Sequence, residues 1–334
     1  MVFRDNKLNP MLSLPLLIIP SPPLRTHRDP PKSITFATPA WRAGSLLKQM
    51  ASAKFADLHV HTRISDGFFT AEDAVEQAHR AGLAALAIAD HDSIDGIQAA
   101  IWAGKKYGVE IIPAVELSSG IDNHELHIVG YYIDWQNKWF RDKLRVFQDA
   151  RRDRARKIVE RLGELGMDVP YNLVIALEGG VVGRPHIAQA MVIRGYVETT
   201  DEAFDKYLGA GKPACVAKYP LSPAGAIKLI KKAGGLPVLV HPVFAHVDDM
   251  LPKLVEDGLG GIEVYHSKHD AKVTKHYTRL ARKYGLLITG GSDSHGGGDV
   301  LIGSVRVPYS IVERIKDELA AARKIRKRVM VRVR

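Results

Sequence analysis

The chain has 334 residues, with 47 Lys and Arg against 37 Asp and Glu and a formal net charge of +10. Cys215 is the single cysteine, which excludes an intrachain disulfide and fits a reducing, cytoplasmic setting; no apolar run reaches the roughly eighteen residues a membrane span needs. The positive charge belongs to the ends: residues 1–50 carry seven Lys/Arg against two Asp/Glu, residues 321–334 carry seven and no acid, and the remaining 270 residues hold 33 basic and 35 acidic side chains. The basic balance is therefore poor evidence that the body of the chain binds long nucleic acid.

Residues 1–50 do not read as part of a fold. Pro10, Pro15, Pro20, Pro22, Pro23, Pro30 and Pro31 exclude a long helix. The apolar run Met11–Ile19 is short, is broken by Pro15, and is followed by no convincing small-residue cleavage site. Either Met50 is the natural start and the extension is non-native, or the stretch is a disordered tail. The first strand-like segment then reads Asp57-Leu58-His59-Val60-His61-Thr62, with Asp66 shortly after. Imidazoles at i and i+2 of one strand share a face, because side chains alternate across a sheet.

Further short apolar runs lead into polar or ionisable residues. Ala84–Ala89 runs into Asp90-His91-Asp92, and Val109–Pro113 into Ala114-Val115-Glu116. His127 lies within Leu126–Gly130. Leu236–Val240 ends in His241-Pro242, Gly261–Tyr265 ends in His266, and Leu286–Thr289 leads to Ser292-Asp293-Ser294-His295. Helical patterns lie between most of these runs: Thr70–Arg80, one opening at Ser222-Pro223, Val247–Glu256 and Asp270–Tyr284. Each is punctuated by a hydroxyl or carboxylate cap, a first-turn proline or a following glycine. Alternating strand and helix predict a mostly parallel sheet. About seven strands are expected, in a distorted TIM-like α/β barrel with the ionisable residues on the rim at the strand C-termini.

These segments, in this order, resemble the PHP (polymerase and histidinol phosphatase) superfamily over roughly residues 55–307. Within it, Gly183-Arg184-Pro185-His186-Ile187-Ala188 and Gly211-Lys212-Pro213 resemble the bacterial TrpH/YciV-type branch of 3′,5′-nucleoside bisphosphate phosphatases and 5′→3′ exoribonucleases. The resemblance implies a ligand set. His59, His61, Glu116 and Asp293 would hold one metal. Glu116 would bridge to a second held by His127 and His241, and Asp66, His91 and His295 would hold a third. Imidazole and carboxylate suit two to three divalent ions of Mn, Fe or Zn, and a water or hydroxide activated by them is the expected nucleophile. Asp57, Asp90 and Asp92 are expected to orient imidazoles by hydrogen bonding. His266 and His269, after a strand on the rim, are candidates for substrate contact. His79, His124, His246 and His276 are assigned no role.

The barrel is expected over residues 51–135 and 216–310, interrupted by a helical cap over 136–215. From Lys138 to Gly166, apolar residues at Phe140, Leu144, Phe147, Ala155, Ile158, Leu162 and Leu165 predict a long amphipathic helix. Arg151, Arg152, Arg154 and Arg156 then read mostly as its solvated face. Arg184 is the residue best placed to grip a phosphate, since a guanidinium matches phosphate bidentately, with His186 beside it. Residues 311–334 are expected to form a helix and basic tail, although the alternating Val/Arg end also suits an edge strand.

The expected activity is that of a metal-dependent phosphoesterase. Its substrate would be a small phosphorylated nucleotide, with a 3′,5′-nucleoside bisphosphate giving the 5′-nucleotide and phosphate, or the 5′ end of a short RNA. No obligate protein partner and no membrane are implied. The alternatives are a histidinol-phosphate phosphatase, against which the insertion argues, and a non-catalytic regulatory PHP module, which would commonly have lost ligands. Metal-dependent amidohydrolases also open with His-x-His on a barrel strand, but they recruit a strand lysine, and none sits at a strand end here.

Overall fold

The computed structural model describes residues 53–121, 124–217, 221–245, 248–297 and 300–332. The expectations for residues 1–50 and for His246 lie outside them. No helix among the described residues is long and apolar enough to cross a membrane.

One mixed sheet holds eight strands rather than the expected seven: β1 (Phe55–Val60), β2 (Ala85–Ile88), β3 (Glu110–Ile121), β4 (His124–Tyr131), β5 (Leu236–Leu239), β6 (Gly261–His266), β7 (Leu287–Gly291) and β8 (Val307–Pro308). Their spatial order is β7-β6-β5-β4-β3-β2-β1-β8. The eighth is a two-residue strand antiparallel to Phe55–Ala56, too short to carry any periodicity. The sheet is also less parallel than expected. β3 and β4 form an antiparallel hairpin, with Glu116 opposite Val129 and Ser118 opposite His127, and β4 is again antiparallel to β5. A parallel pairing of β3 and β4 would need a crossover of a dozen or more residues, and the stretch between Glu116 and His127 cannot supply one. Glu116 consequently lies in the middle of its strand.

The sheet curls almost closed. His61 N–H donates to Ser294 O at 3.0 Å and Asp293 N–H to His59 O at 2.8 Å, joining the chain after β7 to β1. Beneath this seam the barrel is filled by Leu58, Ile112, Val129, Tyr131, Val238 and Val240, all buried. The C-terminal segment is a helix, Tyr309–Arg332, not an edge strand. Val312, Ile315 and Leu319 fall three and four residues apart and pack into the same cluster.

Helices begin where the sequence places caps. Thr70 accepts from Asp73 N–H in a reciprocal capping box that opens Ala71–Arg80. Ser222 caps Pro223–Lys232 and Asp270 caps Ala271–Tyr284. The helix expected from Val247 starts later, at Leu251, after a 3₁₀ turn, with Pro252 in its first turn. A further helix, Ile97–Tyr107, has Gly96 at its N-cap and no capping side chain, so it lacked that start signal.

The helix Lys138–Glu164 belongs to two cores. Phe140 and Leu144 pack with the barrel residues Leu117, Ile128 and Ile230. Ala155, Ile158 and Leu162 pack with Val174, Ile187, Met191 and Leu208 of the insertion, whose other helices are Tyr171–Leu177, Arg184–Ile193 and Thr200–Ala203, the last continuing as a π-helix, Phe204–Leu208. Each fully buried Leu, Ile or Phe contributes about 1.5–3 kcal/mol, so this one helix is anchored in both clusters.

Candidate metal centre

β1 sets His59 and His61 side by side on the inner face, their Nε2 atoms 3.2 Å apart and both rings wholly buried. Glu116 enters from β3 and divides its carboxylate between two groups of histidines. Oε2 lies 3.2 Å from His61 Nε2, 3.6 Å from His59 Nε2 and 2.9 Å from His91 Nδ1. Oε1 lies 2.9 Å from both His127 Nδ1 and His241 Nε2. Asp293 adds Oδ1 at 3.2 Å from His61 Nε2 and 3.5 Å from His59 Nε2. On the far side of His61, Asp66 faces His91 Nε2 at 3.7 Å and His295 Nε2 at 3.4 Å. All nine residues singled out as ligands are thus gathered at one place.

Four groups of these side chains have donor atoms within 4.8 Å of one another: His61, Asp66, His91 and His295; His59, Glu116 and His241; His59, His61 and Asp293; and His91, Glu116 and His127. The fit to a metal shows in what the protein leaves unsatisfied. Asp66 Oδ1, His91 Nδ1 and Glu116 Oε2 are buried without a hydrogen-bond partner, a costly state for polar atoms. The imidazoles are crowded as well, His61 and His295 stacking with centroids 4.3 Å apart. Nitrogen and carboxylate oxygen without thiolate is a donor set for divalent ions such as Mn, Fe or Zn.

Charge is strongly coupled here. Burial opposes ionisation of Glu116, yet His91, His127 and His59 hold its carboxyl well below the usual range. Burial likewise opposes Asp66, and His91 and His295 outweigh it. Burial works against a proton on His61, but the neighbouring carboxylates of Asp293 and Glu116 push its pKa up to about 10. For His91 burial wins, and its pKa falls to about 4. The backbone is strained at the same place: Asp92, His241 and Asp293 have φ of 50°, 31° and 55°. These left-handed conformations of non-glycine residues cluster at functional sites.

The surrounding carboxylates act differently from expectation. Asp57 accepts from the backbone N–H of Ser292 at 2.9 Å and of Gly303 at 2.8 Å, so it clamps the barrel seam rather than an imidazole. Asp90 accepts from Thr62 N–H and Oγ1, both at 2.7 Å, and from Ser65 Oγ at 2.7 Å; only Ser65, 3.4 Å from His61 Nδ1, passes this order on. Asp92 binds Ser118 N–H and Arg151 Nε. A carboxylate that does hold an imidazole is Glu263, wholly buried, with Oε1 3.1 Å from His59 Nδ1 and Oε2 accepting from His241 N–H at 2.8 Å. It was not foreseen. The available signal was an acid inside the apolar strand Gly261-Ile262-Glu263-Val264-Tyr265, where an unpaired charge is rarely buried.

His266 and His269 are less open than a rim loop implies. His266 is buried; its Nδ1 accepts from Lys268 N–H, so Nε2 carries the proton toward Asp293 Oδ2, 3.3 Å away. His269 Nδ1 donates to Val264 O at 2.9 Å, and burial lowers its pKa. His186 is buried too, its Nδ1 accepting from Gly183 N–H at the start of its own helix.

Arg151 departs from the solvated reading. It lies inward, its Nε 2.7 Å from Asp92 Oδ2 and its Nη2 2.7 Å from Ser118 Oγ. Arg152 and Arg156 remain partly solvated and pair with Glu178 and Asp153. Arg184, at the first turn of its helix, reaches Glu125 Oε2 at 3.1 Å, and Glu125 Oε1 lies 3.0 Å from His127 Nε2. Arg154 donates to Val216 O; burial, with Arg184 and Arg151 nearby, lowers its pKa to about 10. Arg151, Arg154 and Arg184 share the wall of one small cavity.

Residues 57–211 match the PHP domain. A 5′-3′ exoribonuclease of Haemophilus influenzae is 33% identical over 244 residues, 72% of this chain and 89% of that protein. A 3′,5′-nucleoside bisphosphate phosphatase of Chromobacterium violaceum is 30% identical over 250 residues, 73% of this chain and 88% of that one. A solved structure from Bifidobacterium adolescentis superposes with a TM-score of 0.73 at 31% identity, covering 78% of this chain and 94% of that one. With its curled α/β sheet and its gathered histidines and carboxylates, the chain belongs to the PHP phosphoesterase family.

Proposed function

We propose that the chain removes the 3′-phosphate from 3′,5′-nucleoside bisphosphates to leave the 5′-nucleotide, and acts on the 5′ ends of short RNA by the same chemistry. The observation that carries this reading is Glu116, whose two oxygens serve two separate sets of histidines. In it, His59, His61, Glu116 and Asp293 would hold one ion, Glu116, His127 and His241 a second, and Asp66, His91 and His295 a third. When bound, such ions supply an activated water and positive charge for the phosphoryl oxygens.

The chain's own residues do the positioning. Glu263 accepts a hydrogen bond from His59 Nδ1–H and leaves Nε2 facing the centre, and His266 fixes Asp293. The guanidiniums of Arg184 and Arg154 supply positive charge on the insertion side of His127. That wall favours a second phosphate on the substrate. It disfavours histidinol phosphate, whose amine is a cation. The retention of all nine donors argues against a non-catalytic module. The names of the exoribonuclease and the bisphosphate phosphatase support the same substrate class.

The test is product release by the Mn-loaded protein, with phosphate measured from 3′,5′-bisphosphates and histidinol phosphate, 5′-mononucleotides measured from 5′-phosphorylated oligoribonucleotides, and metal content in parallel. The expected result is two to three ions per chain and fastest release from the bisphosphate. One ion or fewer removes the trinuclear assignment, and a preference for histidinol phosphate removes the substrate assignment.

A further inference from the structure

Phe244 is 60% exposed, one of four exposed aromatic side chains among the described residues, with Phe68, Trp102 and Tyr265. Among the described residues ten large apolar side chains are exposed, and the two phenylalanines among them both flank the metal centre. Phe68 donates its N–H to His295 O, and its ring lies against Gly297. Phe244 has its ring centroid 5.8 Å from the His241 ring and 6.0 Å from the His266 ring, the latter edge-on at 82°.

The local chain holds this ring outward. His241 has φ 31° and ψ 53°, and Pro242–Phe244 form a 3₁₀ turn closed by Phe244 N–H to His241 O and Ala245 N–H to Pro242 O, both 3.2 Å. Pro242 and Ala245 are buried, so the turn has an inner side, and the phenylalanine does not take it. His241 Nε2 is itself 2.9 Å from Glu116. The exposed ring therefore lies one imidazole away from the donors, the separation a ribose would bridge between a phosphoryl group at the centre and its base.

We propose that Phe244 is the stacking platform for the substrate nucleobase. This deepens the reading of the chain as a nucleotide phosphoesterase and rests on it. A base stacks on an aromatic face through its π surface, which every base has. The platform consequently confers a preference for nucleotides over base-free phosphates, with little choice among the four bases.

The experiment compares adenosine 3′,5′-bisphosphate with the corresponding abasic 3′,5′-bisphosphate on the wild-type protein, Phe244→Leu and Phe244→Trp. The wild type is expected to favour the adenosine substrate by about 10- to 100-fold in kcat/KM, the span of one stacked base. Phe244→Leu should collapse that preference through KM rather than kcat, and Phe244→Trp should keep it. Independently of turnover, adenosine 5′-monophosphate should quench the fluorescence of Phe244→Trp beyond any change in the wild type, which has four tryptophans of its own. A wild-type preference that survives in Phe244→Leu overturns the platform and leaves the phosphoesterase reading intact. Release from neither bisphosphate in the wild type overturns both.

Discussion

Glu263 Oε1 lies 3.1 Å from His59 Nδ1, with both side chains wholly buried, and this contact decides which nitrogen of His59 faces the centre. The second Glu263 oxygen receives His241 N–H at 2.8 Å, so one carboxylate steadies a histidine from each of the two groups around Glu116. Glu263→Leu is expected to leave two buried donors unpaired, at about 1–3 kcal/mol each, and to weaken metal binding about 10- to 100-fold. Glu263→Gln should recover only part of the thermal stability, because its amide oxygen can still accept from His59 while its NH2 faces the His241 N–H without accepting from it. Melting curves and metal titrations of both variants check this, and equal metal affinity in wild type and Glu263→Leu would discard it.

Glu116→Gln removes a charge shared between two groups of histidines. Turnover should fall below detection while the fold is kept, since the glutamine is isosteric and β3 is held by its neighbours on both sides. Losing the activated water and the bridging carboxylate together costs several kcal/mol of barrier. Activity within about threefold of wild type, measured beside circular dichroism, would show that Glu116 does not bridge.

Arg184 touches Glu125, and Glu125 touches His127, so its loss tests whether the cationic wall reads the substrate. Arg184→Ala should lower kcat/KM for a 3′,5′-bisphosphate by about 10²-fold, equivalent to roughly 2.7 kcal/mol, and change a simple aryl phosphate little. Binding energy from a remote phosphate is used to position the reacting one. Equal losses on both substrates, with a lower melting temperature, would make Arg184 a brace for the insertion and nothing more.

The nine candidate ligands came from the resemblance, and the structure gathers their side chains in one place; most stand on or just after a short apolar run, which is how the barrel brings distant segments together. Glu116 was found despite lying mid-strand, since the hairpin that centres it was not visible as such. Glu263 and Phe244 were missed for opposite reasons: one is a charge hidden inside an apolar strand, the other an apolar ring left outside a polar turn. Arg151 was misread although its phase was available. It stands seven residues after Leu144 and seven before Ile158, two buried positions of the same helix, so it shares their inward face where the helix crosses the rim. Arg151→Ala should leave Asp92 buried beside no cation, and breaking such a pair costs about 3–5 kcal/mol. A chemical denaturation midpoint unchanged from wild type would mean that the Arg151–Asp92 pair contributes nothing.

The last prediction concerns the C-terminal helix. Glu110, at the start of β3, receives Lys316 Nζ at 2.7 Å, the Tyr132 hydroxyl at 2.9 Å and the Tyr309 hydroxyl, so one carboxylate fastens the helix Tyr309–Arg332 to the barrel floor. Burial opposes its ionisation, but Lys316, Tyr309 and Tyr132 together hold its pKa below the ordinary 4.5. A depressed carboxylate stabilises the fold above its unfolded pKa, and that stability is lost as pH falls through the folded value. The group is partly exposed and screened by water, so the effect is under about 1 kcal/mol. Wild type should therefore lose protection of the helix amides, read by hydrogen exchange, as pH drops below about 4.5. Glu110→Gln should show weaker protection at neutral pH and a flatter dependence through the same range. Identical pH profiles for the two proteins would mean that Val312, Ile315 and Leu319 hold the helix alone.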